Sequence, residues 1–428
     1  MIIKNDKKTI RAWTFYDWAN SVYPLVISSA IFPIFYEKVT KNDLGGMIPF
    51  CGGEFINTAF YGYVVAVSYL IVAFSSPLLS GMADYSDSKK KFLQLFCYLG
   101  SFSCVALSFF STEHIILSML ALMLASVGYW GSLVFYNAYL PEIADTSQHD
   151  KISARGFAMG YVGSSLLLIA ILILAVFTKT IPKIQYTFAL VGLWWFGFAQ
   201  VTFRRLSSSN KQSGQKKHLL SSGYKELKNV WIDLKNRMQL RRFLASYFMY
   251  NLGVQTIMIM AVPFATKAID WGGDEDKKRQ SLIISILIIQ FLGVAGAFMM
   301  SKLSSIIGNI KTIGINILIW ISICVYTYLL VDTPMEFYIT AAGVGLVMGG
   351  IQAISRSTYS KMLPQTKDHA SYFSFYDVSE KIGLAIGTTT FGLIEDLTGN
   401  IRNSVLSLII IFIIGFVLLL RVPKEARV

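Results

Sequence analysis

The sequence predicts an all-α membrane protein with twelve transmembrane helices in two six-helix bundles. Three observations predict it. Twelve long apolar stretches separated by short polar segments fill almost the whole of the 428 residues. The composition is 54% hydrophobic and 15% charged with a mean hydropathy of +0.53, whereas soluble domains carry about 25% charged residues. The longest polar segment, Leu206 to Gln239, lies mid-chain and divides the spans six and six.

Each element follows from the about 20 apolar residues that a helix needs to cross a hydrocarbon core of about 30 Å. The predicted spans are Trp13–Tyr36, Thr58–Ser80, Phe92–Phe110, Ile115–Ala138, Ser153–Phe177, Tyr186–Phe203, Phe243–Ala265, Ser281–Met300, Ile313–Val331, Phe337–Ala353, Phe373–Leu393 and Val405–Leu420. Residues 1–205 then make an N-terminal bundle, 206–239 a cytoplasmic linker and 240–428 a C-terminal bundle. The linker opens on Ser207, Ser208 and Ser209 and is basic, which reads as a flexible solvated connector. Gly223 to Leu240 also has the pattern of a short amphipathic helix, the less favoured reading.

Basic residues orient the spans. An even number puts both termini on one side. With the termini in the cytoplasm, 28 of the 38 Lys and Arg residues fall in cytoplasmic segments or, for Arg155, at the cytoplasmic start of a span, and 9 fall outside, leaving Lys381 deeper within a span. The positive-inside rule therefore places both termini in the cytoplasm. The net charge of +13 is mostly this topology signal and no sign of a nucleic-acid partner. The first apolar run carries Asp17 and Asn20 and is followed by no small-residue cleavage site, so it reads as a retained span and not a signal peptide. Cys97, Cys104 and Cys324 lie within spans and Cys51 in the first external loop, so free thiols are expected. His114, His149, His218 and His369 all fall in or beside loops, which argues against a histidine relay at the bilayer centre.

The halves resemble each other faintly. Tyr139-Leu140-Pro141 follows the fourth span and Met362-Leu363-Pro364 the tenth, and Gly160 matches Gly383 at the same offset. Ser80 to Asp84 has a degenerate partner in Ser301 to Ser305, and Tyr16-Asp17 one in Tyr250-Asn251. Duplicated halves suggest a transporter whose bundles rock about a midplane site.

Three stretches carry a more specific resemblance. They are Arg11 to Ser21 with Tyr16-Asp17-Trp18-Ala19-Asn20, Ser153 to Gly163, and Gly349-Gly350-Ile351-Gln352-Ala353-Ile354-Ser355-Arg356-Ser357 continued by Ser374 to Lys381. With twelve spans in two halves, the chain resembles the vacuole-effluxer-like family of the major facilitator superfamily, meaning the autophagy-linked amino-acid effluxers and their bacterial relatives. The resemblance runs end to end. It implies the major facilitator fold, small-molecule export or uptake, and amino acids or short peptides as substrates. Two departures stand out. The superfamily's second-to-third loop usually reads Gly-x-Leu-Ala-Asp-Arg-x-Gly-Arg-Lys; here Asp84 and Lys89-Lys90-Lys91 are kept while Ser80, Tyr85 and Asp87 replace the first Gly, the Arg and the second Gly. In the seventh span Tyr250-Asn251-Leu252-Gly253 lacks the acid that the family often shows there.

Charged side chains deep in a membrane are costly unless paired or hydrated, so each is a candidate. Asp17, flanked by Tyr16 and Asn20, suits a proton or a substrate ammonium, or else a structural pairing with a loop cation. Asp377 and Lys381 are four apart, a spacing at which one helical face holds an ion pair; Asp377 or Glu380 is the alternative proton site. Asn251, Gln255 and Gln352 either line the pathway or bond between helices, as does Gln290. Asp84, Glu142, Arg155, Arg356 and Lys381 are gating candidates. Arg356 suits an interdomain gate with Asp377 or Glu142, while Arg155 suits a structural pair with Glu142 or Asp145.

No Walker motif and no paired His or Cys set appears, so neither ATP-driven transport nor a cofactor or metal is expected. The reading is a monomeric, non-enzymatic secondary transporter in a bacterial inner membrane. It works by alternating access on a small polar solute, with protons favoured over sodium because carboxylates lie in or near the spans. The alternatives are an integral-membrane lipid-modifying enzyme and a non-transporting receptor or scaffold.

Overall fold

The computed structural model describes residues 4–177, 184–206 and 219–423. The predicted flexible start of the linker, Ser207 to Ser209, lies outside them, as does His218. The described chain is almost entirely helical. Helix α1 (Lys7–Asn20) starts where the Asp6 carboxylate accepts from the backbone N–H groups of Lys8 and Thr9. Its hydrogen bonds from the Thr9 side chain and backbone hold that carboxyl below the usual range. The first span is not one regular helix. A π-helical stretch, Tyr23–Ala30, begins beside Pro24 and leads into α2 (Phe32–Leu44).

The first external loop holds a two-stranded antiparallel hairpin, β1 (Met47–Phe50) and β2 (Gly53–Ile56), with Phe50 opposite Gly53. Its two turn residues, Cys51 and Gly52, both have positive φ (49° and 80°), the requirement of the tight turn whose twist matches paired strands. Next come α3 (Asn57–Tyr85), α4 (Lys89–Ala106), α5 (Ile115–Ala138), the short α6 (Leu140–Ile143), α7 (His149–Phe177) and α8 (Gln185–Arg205). Beyond them lie α9 (Leu219–Asn236), α10 (Met238–Ala268), α11 (Glu275–Ile307), α12 (Asn309–Leu330), α13 (Pro334–Met362), α14 (His369–Thr398) and α15 (Ile401–Leu420). The favoured reading of 219–236 as solvated linker is thus corrected. These residues are helical because Val230 and Leu234 bury one side of an amphipathic turn.

Eleven helical stretches among the described residues are long and apolar enough to cross a membrane. The remaining predicted span, Phe373–Leu393, corresponds to α14, whose 30 residues reach about 45 Å. Asp377, Glu380 and Lys381 in its interior keep it outside that apolar measure.

Contacts divide the chain into two units that do not quite follow the sequence halves. The first holds Met1–Ile143, Met159–Leu227 and Asp368–Ser374; the second holds Ala144–Ala158, Lys228–Lys367 and Phe375–Val428. Helices α7, α9 and α14 therefore each contribute residues to both. Within the first unit α4 packs on α5, with Gly128 against the backbone of Gly100. Within the second, α11 and α13 are in backbone contact. A Cβ on Gly296 would strike the Leu346 carbonyl, and one on Gly349 the Gly293 carbonyl. This is the close approach that small residues permit between membrane helices.

Candidate functional site

In the first unit the centre is Asp17. Because α1 begins at Lys7, Asp17 sits ten residues into it, about 15 Å along, in the last turn before the π-helical stretch. It is 5% exposed and accepts a hydrogen bond from the Tyr136 hydroxyl at 2.8 Å. Tyr136 is fixed in turn: its ring stacks on Trp13 at 4.4 Å, and its carbonyl accepts from the Trp13 indole at 2.9 Å. Tyr16 is fully buried against Tyr136. Asn20 is 1% exposed, and its amide nitrogen finds no acceptor among the described residues.

A second cluster of the first unit gathers three helix ends. Asp84 near the end of α3 accepts from the backbone N–H groups of Ala370 and Ser371, at 3.3 and 2.7 Å, and from the Ser371 hydroxyl at 2.8 Å. A carboxylate is thus held at the first turn of α14, where exposed N–H groups and the helix dipole favour negative charge. Lys89, at the start of α4, pairs with Asp84 at 3.5 Å and also with Glu142, whose carboxylate meets His369 Nδ1 at 3.1 Å. The altered loop motif therefore keeps its acid in a definite structural role. Gly81 is needed beside it, since a Cβ there would strike the Gly223 carbonyl at the start of α9.

The second unit carries a cluster at the start of α7. Asp150 accepts from Lys361 Nζ at 2.6 Å, Asn309 Nδ2 at 2.7 Å and Ser304 Oγ at 3.0 Å. Arg356 lies beside it, 3% exposed, donating from Nε to Ser153 Oγ and from Nη2 to the Ser153 carbonyl, both at 2.9 Å. Its guanidinium sits 4.1 Å from the Phe157 ring centre, a cation–π geometry. Arg155, expected to pair with Glu142 or Asp145, is exposed and makes no ion pair among the described residues. Two residues, about 200° of helix rotation, separate it from the buried Ser153, so the two side chains leave opposite sides of α7.

Deeper in the second unit, α14 presents its charges. Lys381 Nζ meets Asp377 Oδ1 at 2.8 Å and Glu380 Oε2 at 3.8 Å, with the lysine side chain 1% exposed. Gln255 of α10 donates to Glu380 Oε1 at 2.6 Å. Tyrosines wall the group: Tyr247 stacks on Tyr376 at 4.0 Å, Tyr359 lies 5.0 Å from Tyr376, and the Tyr250 and Ser355 hydroxyls share a 2.7 Å hydrogen bond. Asn251, 6% exposed, has an amide nitrogen without an acceptor among the described residues. Gln352 is half-buried beside Met258 Sδ at 3.5 Å. Two carboxylates and one ammonium sum to −1 when all are ionised, an arrangement with room for one proton. A separate cavity of about 70 Å³ lies among Ile257, Phe264, Cys324, Phe337 and Phe391. Phe391 is about 16 Å beyond Glu380 along α14, and this apolar chamber offers a polar solute little.

The sequence reading noted Lys89 only as part of the loop motif and missed His369, Asp150, Asn309, Lys361, Ser153 and Tyr136 as site residues. For Asp150, acid in the first turn of a helix was the available signal; for the others, spacing carried none. Cys97, Cys104 and Cys324 are buried free thiols and Cys51 an exposed one, as expected.

Comparison with known proteins identifies the architecture. The sequence profile described as "Vacuole effluxer Atg22 like" matches residues 5–427. An uncharacterized MFS-type transporter of Bacillus subtilis, YxiO, is 32% identical over 99% of this chain and 97% of its own length. Autophagy-related protein 22-1 of Penicillium rubens is 22% identical, covering 98% of this chain and 90% of that one. Among solved structures, the Escherichia coli fucose:proton symporter FucP superposes with a TM-score of 0.66 at 14% identity, covering 98% of both chains. A bacterial homologue of the iron transporter ferroportin reaches 0.67 at 11% identity, covering 98% of this chain and 99% of that one. These last two show the fold, the major facilitator fold of a multi-pass membrane protein. Profile and relatives, matching nearly from end to end, show that the chain belongs to the Atg22-like vacuole effluxer family of transporters.

Proposed function

We propose that this transporter moves a small polar solute by alternating access, with an amino acid or short peptide as the favoured class and a proton as coupling ion. The observation that carries the coupling is the buried Asp377, Glu380 and Lys381 group, in which two carboxylates meet one ammonium. Glu380 is the acceptor we assign, because Lys381 lies closest to Asp377 while Glu380 faces the uncharged Gln255. A net charge in a low-dielectric interior is costly, so proton gain and loss at Glu380 would weight the two access states differently. Polar cargo is supported by the buried donors of Asn20 and Asn251, one in each unit. An unsatisfied buried donor costs about 1–3 kcal/mol unless water or a ligand accepts from it.

Asp17 in the first unit is the proposed anchor for a substrate ammonium. Gating falls to the helix-end clusters. Asp84 with Lys89 and Glu142, and Asp150 with Lys361, would hold the starts of α14 and α7 in one access state and release them in the other. Arg356 is assigned to the second of these. The domain division at 206–239, a bacterial inner-membrane location with both termini cytoplasmic, and a monomeric state complete the proposal.

The testing experiment is a thermal-stability screen of the purified protein against amino acids, peptides and sugars, because a ligand that binds only the folded state raises its stability. Hits are then followed as uptake into proteoliposomes. Uptake of a stabilising amino acid or peptide, enhanced by an acidic exterior, is expected. No flux of any stabilising solute would overturn the transport reading, and flux indifferent to a protonophore the coupling.

A further inference from the structure

Helix α9 has an exposed face, whose Trp231 ring also meets the Phe375 ring at 5.5 Å. At about 100° per residue, Tyr224, Lys225, Lys228, Trp231, Ile232 and Lys235 fall within an arc of about 120°. All six are exposed: Tyr224 at 63%, Trp231 at 45% and Ile232 at 48%, with the three lysines alongside. The acids of the helix, Glu226 and Asp233, lie on the far side, about 140–160° from the middle of that arc. The opposite side is held to protein. Gly223 packs on the Met82 backbone, and Val230 and Leu234 are buried. The exposed face thus combines basic and aromatic residues and carries no acid.

Its position is as informative as its composition. A single residue, Arg237, separates α9 from α10, which is one of the spans. The C-terminal end of the helix therefore adjoins a span. Met238, Arg241 and Arg242 at the start of α10 are exposed and continue its apolar and basic character. Lys235 Nζ lies 5.0 Å from the centre of the Trp231 ring, so cation and aromatic ring are presented together. Tyr and Trp suit the boundary between headgroups and acyl chains, and lysines are attracted to anionic lipid.

We infer that this face of α9 binds the anionic phospholipid headgroups of the bilayer in which the protein sits, anchoring the linker helix to the membrane surface. In cells this would be the cytoplasmic leaflet, a point that rests on the proposed orientation. Lipid of one composition in both leaflets removes that dependence, so the two ideas fail separately.

The test is hydrogen exchange of the full chain in lipid nanodiscs of phosphatidylcholine alone, or with about one-third phosphatidylglycerol. Backbone exchange across 224–235 should slow at least about fivefold with the anionic lipid, the equivalent of one surface lysine. The effect should shrink as salt shortens the screening length from about 10 Å to about 3 Å. The combined Lys225→Gln, Lys228→Gln and Lys235→Gln variant should lose it, and the corresponding triple Arg variant should keep it while both retain normal exchange in α13. Equal exchange in the two lipids would overturn the inference and point to another occupant, such as an acidic protein. A lipid effect surviving in the Gln variant would overturn it too, by placing the lipid elsewhere.

Discussion

Replacing Lys381 by Met should destabilise this protein far more than losing its ion pair would suggest. The Lys381 and Asp377 side chains are 1% and 6% exposed with N and O at 2.8 Å. At an effective dielectric of about 20, their attraction is about 6 kcal/mol. Desolvation of the two ions costs several kcal/mol each, so the intact pair contributes little net stability. Removing the ammonium keeps the carboxylate's desolvation and deletes the attraction, costing about 3–5 kcal/mol. The same logic gives Asp377→Leu a similar cost. The double variant, in which Glu380 still has Gln255, should recover most of it, giving a coupling energy of at least about 2 kcal/mol. Unfolding in detergent micelles, followed by tryptophan fluorescence across a denaturant series, measures all four proteins. Single losses below about 1 kcal/mol, or strictly additive ones, would refute the pairing argument.

Three further outcomes are expected. Asp84→Ala should lower unfolding stability by about 1–2 kcal/mol through loss of the cap on α14, and Asp84→Asn by less, because its amide oxygen still accepts; equal losses would contradict the capping role. Glu226 is raised above its ordinary value by partial burial and by Asp368 beside it, so its contribution is present at low pH and lost as pH rises through the folded-state value. Glu226→Gln should therefore raise the melting temperature slightly at pH 7 and leave it unchanged near pH 4, and a shift of the same size at both would contradict this. Asp17→Asn should sharply reduce transport with near-normal melting, while Asp17→Glu keeps part of the activity; full transport by the Asn variant would reduce Asp17 to a structural role.

The spans were legible because a bilayer imposes one long, simple pattern on the sequence. The hairpin at 47–56 was not: its strands are four residues each, and its turn uses Cys51 with Gly52 in place of a more usual Asn-Gly. The linker helix was visible only as the less favoured reading, because few residues, Gly223, Val230 and Leu234 among them, mark its buried side. Spacing made the Asp377 and Lys381 pair readable, since both lie on one helix. The helix-end clusters could not be read, because they join residues far apart: Asp84 and Ser371 are 287 positions distant, Asp150 and Lys361 are 211. Asp17 was recognised as a candidate, although the helix that carries it begins before the predicted span. An apolar window finds where a span becomes greasy, whereas α1 starts earlier, at its Asp6 cap.

The central claim is that Glu380 couples proton movement to solute movement. The direct measurement compares two modes of transport by Glu380→Gln in the same proteoliposomes, using the solute that the stability screen finds. Exchange of labelled for unlabelled solute needs only the change of access, whereas accumulation against a gradient needs the proton. The account predicts that the variant keeps exchange near the unmodified rate and loses proton-driven accumulation. Accumulation that persists in the variant would contradict it.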